Sequence, residues 1–174
     1  MTRNRVLRAL FNLILDLITV RRIVGLEHVP ARGPYIVVAN HLSVLDAPLV
    51  YGLLGGPDMR GWAAEKWERN LVFGTILRMG DSYFIQRGQV DRRAIDYAVD
   101  WLRGGHVFGM APEGTRTKTG GLAQGKTGVA YIAHLSGAPI LPFAHSGTDR
   151  VFQSLVRLRR HPIDVIIGRP FQLP

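Results

Sequence analysis

The stretch NHLSVLDAP, Asn40 to Pro48, puts a histidine and an aspartate five residues apart. It follows the hydrophobic run YIVVA and precedes a helical pattern. His41 therefore falls at the C-terminal end of an expected strand, where α/β folds hold their ligands. Asp46 falls near the start of the next helix. A carboxylate on one imidazole nitrogen fixes the tautomer and supports the cation formed when the other nitrogen takes a proton. With an unperturbed pKa of about 6.5, histidine is the natural general base near neutrality. Taken alone, His41 reads first as a structural or capping histidine, and Asp46 or Ser43 as a helix cap. Ser43 is also a possible nucleophile, but no G-x-S-x-G elbow surrounds it. His145, Ser146 and Asp149, in HSGTD, sit too close together for a triad and read as turn residues.

A second stretch, GGLAQGKT from Gly120 to Thr127, satisfies G-x-x-x-x-G-K-[ST]. A phosphate-binding loop of that kind leaves a buried strand directly and opens a helix. Here a helical pattern does follow Lys126, but polar EGTRTKT precedes Gly120 and the nearest strand pattern, HVFGM, ends about ten residues upstream. No apolar strand closes in an aspartate placed to hold magnesium. A nucleotide-binding protein is the outside reading. A loop ending in a lysine at a helix start remains a good anion site.

These residues need a scaffold, and the apolar pattern supplies one. YIVVAN (35–40), SYFIQ (82–86), HVFGMAP (106–112), PILPFA (139–144) and IDVIIG (163–168) read as strands. Helical patterns run from Asp46 to Leu54, Asp91 to Leu102 and Thr127 to Leu135, with Asp91 as an N-cap and Gly104 and Gly105 behind the helix end. Strands alternating with helices predict an α/β fold, a single domain with a largely parallel or mixed sheet flanked by helices.

Residues 4–20 predict an N-terminal amphipathic helix. Arg5, Arg8, Asn12, Asp16 and Thr19 form one narrow polar stripe and the rest of the surface is apolar. The segment is too short and too charged to span a membrane, and it lacks the small-residue cleavage site of a signal peptide. It can lie in a membrane interface, with Arg3, Arg5, Arg8, Arg21 and Arg22 near anionic headgroups, or dock on its own domain. The expected division is 1–21 for this helix and 22–174 for the domain proper.

The 174 residues include no cysteine, which excludes disulfides, a catalytic thiol and thiolate metal sites. Net charge is +9, and arginine supplies 19 of the 22 basic residues. Such a balance suits an anionic partner, and arginine suits planar phosphate recognition. Neither a base-reading basic helix nor an aromatic stacking platform is evident, so nucleic acid is not expected.

Three further segments, FIQR (84–87), APEGTR (111–116) and GAPILP (137–142), complete a pattern. In this order the segments resemble the four blocks of the glycerolipid acyltransferase family, typified by 1-acylglycerol-3-phosphate acyltransferases. Asn40, His41, Ser43 and Asp46 match N-H-x-S-x-x-D. Gly80, Phe84, Ile85 and Arg87 match the second block, and Pro112 to Arg116 match Pro-Glu-Gly-Thr-Arg in full. Pro139 and Pro142 flank the fourth block's strand. Lys126 and Gly128 match the family's Lys-x-Gly, which accounts for GGLAQGKT as the loop after the third block. Ala111 and Gln86 depart from the phenylalanine and aspartate common in the family. The resemblance covers roughly residues 22–170.

The resemblance implies acyl transfer from a thioester, acyl-CoA or acyl carrier protein, to the hydroxyl of a lysophospholipid, with 1-acylglycerol-3-phosphate giving phosphatidic acid. Glycerol-3-phosphate, another lysophospholipid or an aminoacyl lipid are alternative acceptors, and a non-catalytic lipid-binding member is another outcome. It implies His41 as general base, Asp46 as its support, and Arg87, Arg116 and Lys126 as phosphate ligands. Ser43, Glu113, Gly114 and Thr115 would shape the loops, Glu113 by bracing the turn or pairing with an arginine. No bound cofactor or metal is implied. The partners would be lipid and membrane surface, with acyl carrier protein a further candidate. The location would be cytoplasmic, peripheral or monotopic at the inner face of the membrane.

Overall fold

The structure is a computed structural model describing residues 2–55, 59–86, 91–117 and 122–173, with backbone only for 2–4. Seven strands form one sheet: β1 (Thr19–Val24), β2 (Tyr35–Ala39), β3 (Met59–Ala64), β4 (Tyr83–Ile85), β5 (Val107–Met110), β6 (Ile140–Ser146) and β7 (His161–Ile167). Their order across the sheet is β1-β7-β6-β2-β5-β3-β4. β6 and β7 pair antiparallel, and the other neighbouring pairs are parallel. β1 and β7 therefore run against the other five strands, and begin at the end of the sheet where those five finish.

The helices are α1 (Thr2–Ile18), α2 (Asp46–Leu54), α3 (Phe73–Met79), α4 (Arg92–Arg103), α5 (Gly128–Ser136) and α6 (Val151–Val156). Alternation along β2 explains the layering. Tyr35, Val37 and Ala39 face one core with Leu15 of α1, Leu49 and Val50 of α2 and Val151 of α6. Ile36 faces the other core with Ala98 and Leu102 of α4 and Ile132 of α5. Buried on both faces, β2 reads as an unbroken apolar run, as central parallel strands do. The α/β fold with a mixed, mostly parallel sheet is as the sequence predicts, and Asp91 does cap α4, its carboxylate accepting from Ala94 N–H at 3.1 Å.

Four elements were not legible, among them the six-residue α6 (VFQSLV). β1 (TVRRIV) carries two arginines on an edge strand, β3 (MRGWAA) has little β-branched content, and the seven-residue α3 has no marked apolar period. The N-terminal helix also stops earlier than 20, because Thr19 and Val20 join β7 as β1.

α1 resolves the choice between docking and exposure by doing both. Leu7 and Leu15 are buried, and Phe11 meets Tyr51 of α2 edge-on with ring centroids 5.8 Å apart. Its polar stripe turns toward the protein: Arg8 donates to the carbonyls of Gly52 and Leu53, and Asn12 to that of Gly52. Those carbonyls belong to the last turn of α2, which lacks intrahelical donors. Val6, Leu10, Leu13, Ile14 and Leu17 are left facing outward. Among the described residues no helix is long and apolar enough to cross a membrane.

Leu15→Ala should cost about 2–5 kcal/mol in chemical denaturation, as buried leucine truncations do. Leu13→Ala, on the outward stripe, should stay within about 0.5 kcal/mol of the parent. Equal costs would mean that α1 is not docked in this orientation.

Candidate active site

The chain leaves β2 at Ala39, crosses a short loop and begins α2 at Asp46. The Asp46 carboxylate shapes that loop. Its Oδ2 accepts from Leu42 N–H at 2.6 Å, Ser43 N–H at 2.7 Å and His41 Nδ1 at 2.8 Å. Its Oδ1 accepts from Thr148 Oγ1 at 2.6 Å and lies 3.4 Å from Ser43 Oγ. Ser43 Oγ itself accepts from Leu45 N–H, so this serine braces the turn. Because an ionised carboxylate only accepts, the His41 proton in that contact sits on Nδ1. Nε2 is then a free lone pair, and it has no hydrogen-bond partner among the described residues. The His41 side chain is 20% exposed and that of Asp46 only 5%.

Burial alone would raise the Asp46 pKa. The hydrogen bond from His41 opposes it most, followed by nearby His145, the Thr148 hydroxyl and the Ser43 N–H, and together they hold the carboxyl below its ordinary range. The carboxylate is ionised at neutral pH and supports positive charge on His41.

The peptide that carries His41 is clamped at both ends. Its N–H donates to Glu113 Oε1 at 3.2 Å, and the preceding carbonyl, of Asn40, accepts from His145 Nε2 at 2.9 Å. The Asn40 amide in turn bonds both backbone groups of His145, at 2.9 Å each. His41 C=O accepts from Thr117 N–H at 2.9 Å, which ties in the segment after β5.

HSGTD is therefore not a free turn. His145 and Ser146 complete β6, Gly147 takes a left-handed turn at φ 88°, and Thr148 to Arg150 form a short 3-10 turn. His145 is buried behind Asp46, with Nε2 3.7 Å from Oδ1. The period-two run Leu141, Phe143, His145 was the signal that the strand continues this far; all three lie buried on one face. Thr148 gave no such signal.

Glu113 is buried and braces the loop by its backbone contacts, Oε2 accepting from Ala123 N–H at 3.4 Å. Gly114 has φ 67°, and a Cβ there would sit 3.3 Å from Lys126 Nζ. The positive φ favours glycine there, and the Lys126 side chain lies across it in close contact. Lys126 N–H donates to Pro112 C=O at 2.9 Å, so the 122–126 segment folds onto the Pro-Glu-Gly turn. Lys126 and Thr115 are exposed and Arg116 is half-buried, adjacent to the Thr117 that bonds His41. Arg87, Gly120 and Gly121 lie outside the described residues. The Glu113–Lys126 side of the site opens into a cleft of about 270 Å³ whose walls include Val38, Pro112, Leu122, Pro142 and Ala144. Among the described residues no group of three or more His, Asp or Glu is arranged to hold a metal ion.

The family profile described as Acyltransferase matches residues 20–146. The chain belongs to the acyltransferase family. The match contains His41, Asp46, Pro112 to Arg116 and the GGLAQGKT stretch. Among curated proteins, a probable 1-acyl-sn-glycerol-3-phosphate acyltransferase of Mycoplasma genitalium is 29% identical over 76% of this chain and 51% of its own length. N-acylphosphatidylethanolamine synthase of Arabidopsis thaliana is also 29% identical, over 82% of this chain and 57% of its own. The chain thus spans about half the length of the curated relatives it matches. The crystal structure of the 1-acyl-sn-glycerophosphate acyltransferase of Thermotoga maritima superposes with a TM-score of 0.77 at 23% identity, over 97% of this chain and 68% of that one, which shows the shared fold.

The depressed Asp46 pKa has a sign that can be checked. A carboxyl that titrates lower when folded than its unfolded value near 3.9 stabilises the fold above about pH 4, and that stabilisation is lost as pH falls toward the folded value. Asp46→Asn should therefore be less stable than the parent by about 1–3 kcal/mol at pH 7. The gap should narrow below about pH 4 as the parent's carboxyl protonates. Urea melts from pH 7 to pH 3 measure it, and a constant gap would contradict the assignment.

Proposed function

We propose that this acyltransferase domain moves a fatty acyl group from a thioester to the hydroxyl of a lysophospholipid, 1-acylglycerol-3-phosphate, giving phosphatidic acid. The observation that carries the reading is the half-open His41 ring, held through Nδ1 by buried Asp46 at 2.8 Å with Nε2 free. Nε2 accepts the acceptor's hydroxyl proton as its oxygen attacks the thioester carbonyl. The tetrahedral intermediate collapses with loss of the thiolate, and the imidazolium returns the proton to the sulfur. Direct transfer suits a chain without cysteine or a serine elbow.

The phosphate is held by Arg116 and Lys126, on the segments that meet at Gly114, and the family pattern adds Arg87. The apolar cleft beside Glu113 receives an acyl chain. Leu49 and Val50, by contrast, are core residues. Relatives at the same identity carry different names, so identity alone does not choose the acceptor. Arg116, next to the Thr117 that bonds His41 C=O, and Lys126, lying over Gly114, favour a phosphorylated one. The outward apolar stripe of α1 supports a peripheral or monotopic position on a membrane.

Free-thiol release from palmitoyl-CoA and, in parallel, from palmitoyl carrier protein tests the reaction, each with and without lysophosphatidic acid. Acceptor-dependent release from at least one donor is expected, and none from either would overturn the reading. His41→Ala should lower that rate by at least about 100-fold with the fold intact. Arg116→Ala should raise the acceptor KM by roughly 10-fold or more with a smaller change in kcat. An unmoved KM would remove Arg116 from the phosphate site.

A further inference from the structure

Two exposed apolar tips flank the site at the same end of the sheet. One is the turn between α6 and β7. Val156 is 86% exposed and Leu158 97%, and Leu158 holds a left-handed backbone at φ 51°. Leucine is disfavoured in that conformation, and its side chain touches water instead of core. The turn is nevertheless built and fastened. Leu158 N–H donates to Leu155 C=O and Arg159 N–H to Ser154 C=O, while Ser154 Oγ bonds His161 Nδ1 at 2.7 Å. Arg160 donates twice to the carbonyl of Thr19, where α1 becomes β1.

The other tip is the segment between β3 and α3. Leu71 is 89% exposed, with Val72 and Phe73 also outward. Asn70 Oδ1 accepts from the N–H groups of Val72 and Phe73, Arg78 donates to Glu68 C=O, and the Trp67 and Phe73 rings lie 4.9 Å apart. This tip too is shaped, and shaped to point leucine and valine away from the protein.

Strand direction places both tips. β7 runs against β6, with Ser146 opposite Asp164, so the residues before His161 project beyond the end of β6 where Asp46 and His145 meet. β3 runs parallel to β5, so the residues after Ala64 project at that same end. In the strand order, β7 and β3 lie on opposite sides of β2, whose end carries His41. The tips are two lips with the candidate base between them. The outward stripe of α1 leads into the first, since Leu17 precedes the Thr19 carbonyl that Arg160 holds.

We propose that these lips, Val156–Leu158 and Leu71–Val72, are a lipid-contacting rim that seats the site end of the domain on an anionic bilayer. Charge selects this occupant. Arg157, Arg159 and Arg160 surround Leu158, and no acidic residue occurs between Asp149 and Asp164. Apolar tips ringed by arginine enter the interface while the guanidinium groups stay with headgroup phosphates. At the second lip Glu65 and Glu68 offset Lys66 and Arg69, so that lip contributes apolar contact alone. The inference extends the lipid-acceptor reading, and its readout is independent of turnover.

The test is sedimentation of the full chain with vesicles of phosphatidylcholine and phosphatidylglycerol. The variants are Val156→Asn with Leu158→Asn, and Leu71→Asn with Val72→Asn. Val24→Asn is the control, because Val24 is exposed at the opposite end of the sheet. Each lip pair should weaken partitioning by about tenfold with an unchanged melting temperature, and Val24→Asn should bind as the parent does. Parental binding by both lip pairs, an equal loss in Val24→Asn, or no vesicle binding by the parent would overturn the proposal. So would a parental dimer that the lip variants dissolve without any change in vesicle binding, since the lips would then join two copies. Thiol release on a detergent-dispersed acceptor is read alongside. A chain that partitions through its lips yet releases no thiol retires the catalytic reading and leaves the rim standing.

Discussion

Asp46 is a charged group removed from water, and burial of such a group is tolerated only where donors surround it. Two backbone N–H groups, an imidazole and a threonine hydroxyl supply them, and they come from the loop after β2 and the turn after β6. The carboxylate is thus both the electrostatic partner of His41 and the joint between two regions of the sheet. Glu113 has a similar role farther out, joining the His41 peptide to the loop after β5 through backbone groups. The resulting histidine has its peptide, its carbonyl and one ring nitrogen all bonded, with freedom left only at Nε2.

The reversal of strand direction between β6 and β7 organises the periphery. It brings the end of α1 and the α6–β7 turn to the same side as His41, although they are joined to strands that run the other way. α1 is fitted to this position by a stripe of polar residues that satisfies α2 carbonyls, leaving one apolar flank for the core and one outside.

The central strands were legible because burial on both faces writes an apolar run such as YIVVA. α4 was legible because its cap and terminal glycines coincide with the apolar period. β1 and β3 were not, since the partners that define them are distant in sequence and their own residues suit other states. Within the site, His41 and Asp46 stand close in sequence and their pairing could be anticipated. His145 and Thr148 could not be assigned to Asp46, because that contact exists only after β6 is laid beside β2. The short spacing in HSGTD suggested a turn, whereas the buried alternation from Leu141 through His145 decides the matter.

That last contact sets a timetable. Thr148 lies 102 residues beyond Asp46, and β6 follows β2 by nearly as long a stretch of chain. During synthesis His41 and Asp46 leave the ribosome long before the hydroxyl and the strand that complete their surroundings. Long-range pairing of this kind forms late in folding. A nascent or truncated chain ending before β6 would carry the local His41–Asp46 contact without the Thr148 hydroxyl and the His145 clamp, which arrive only when β6 is laid beside β2.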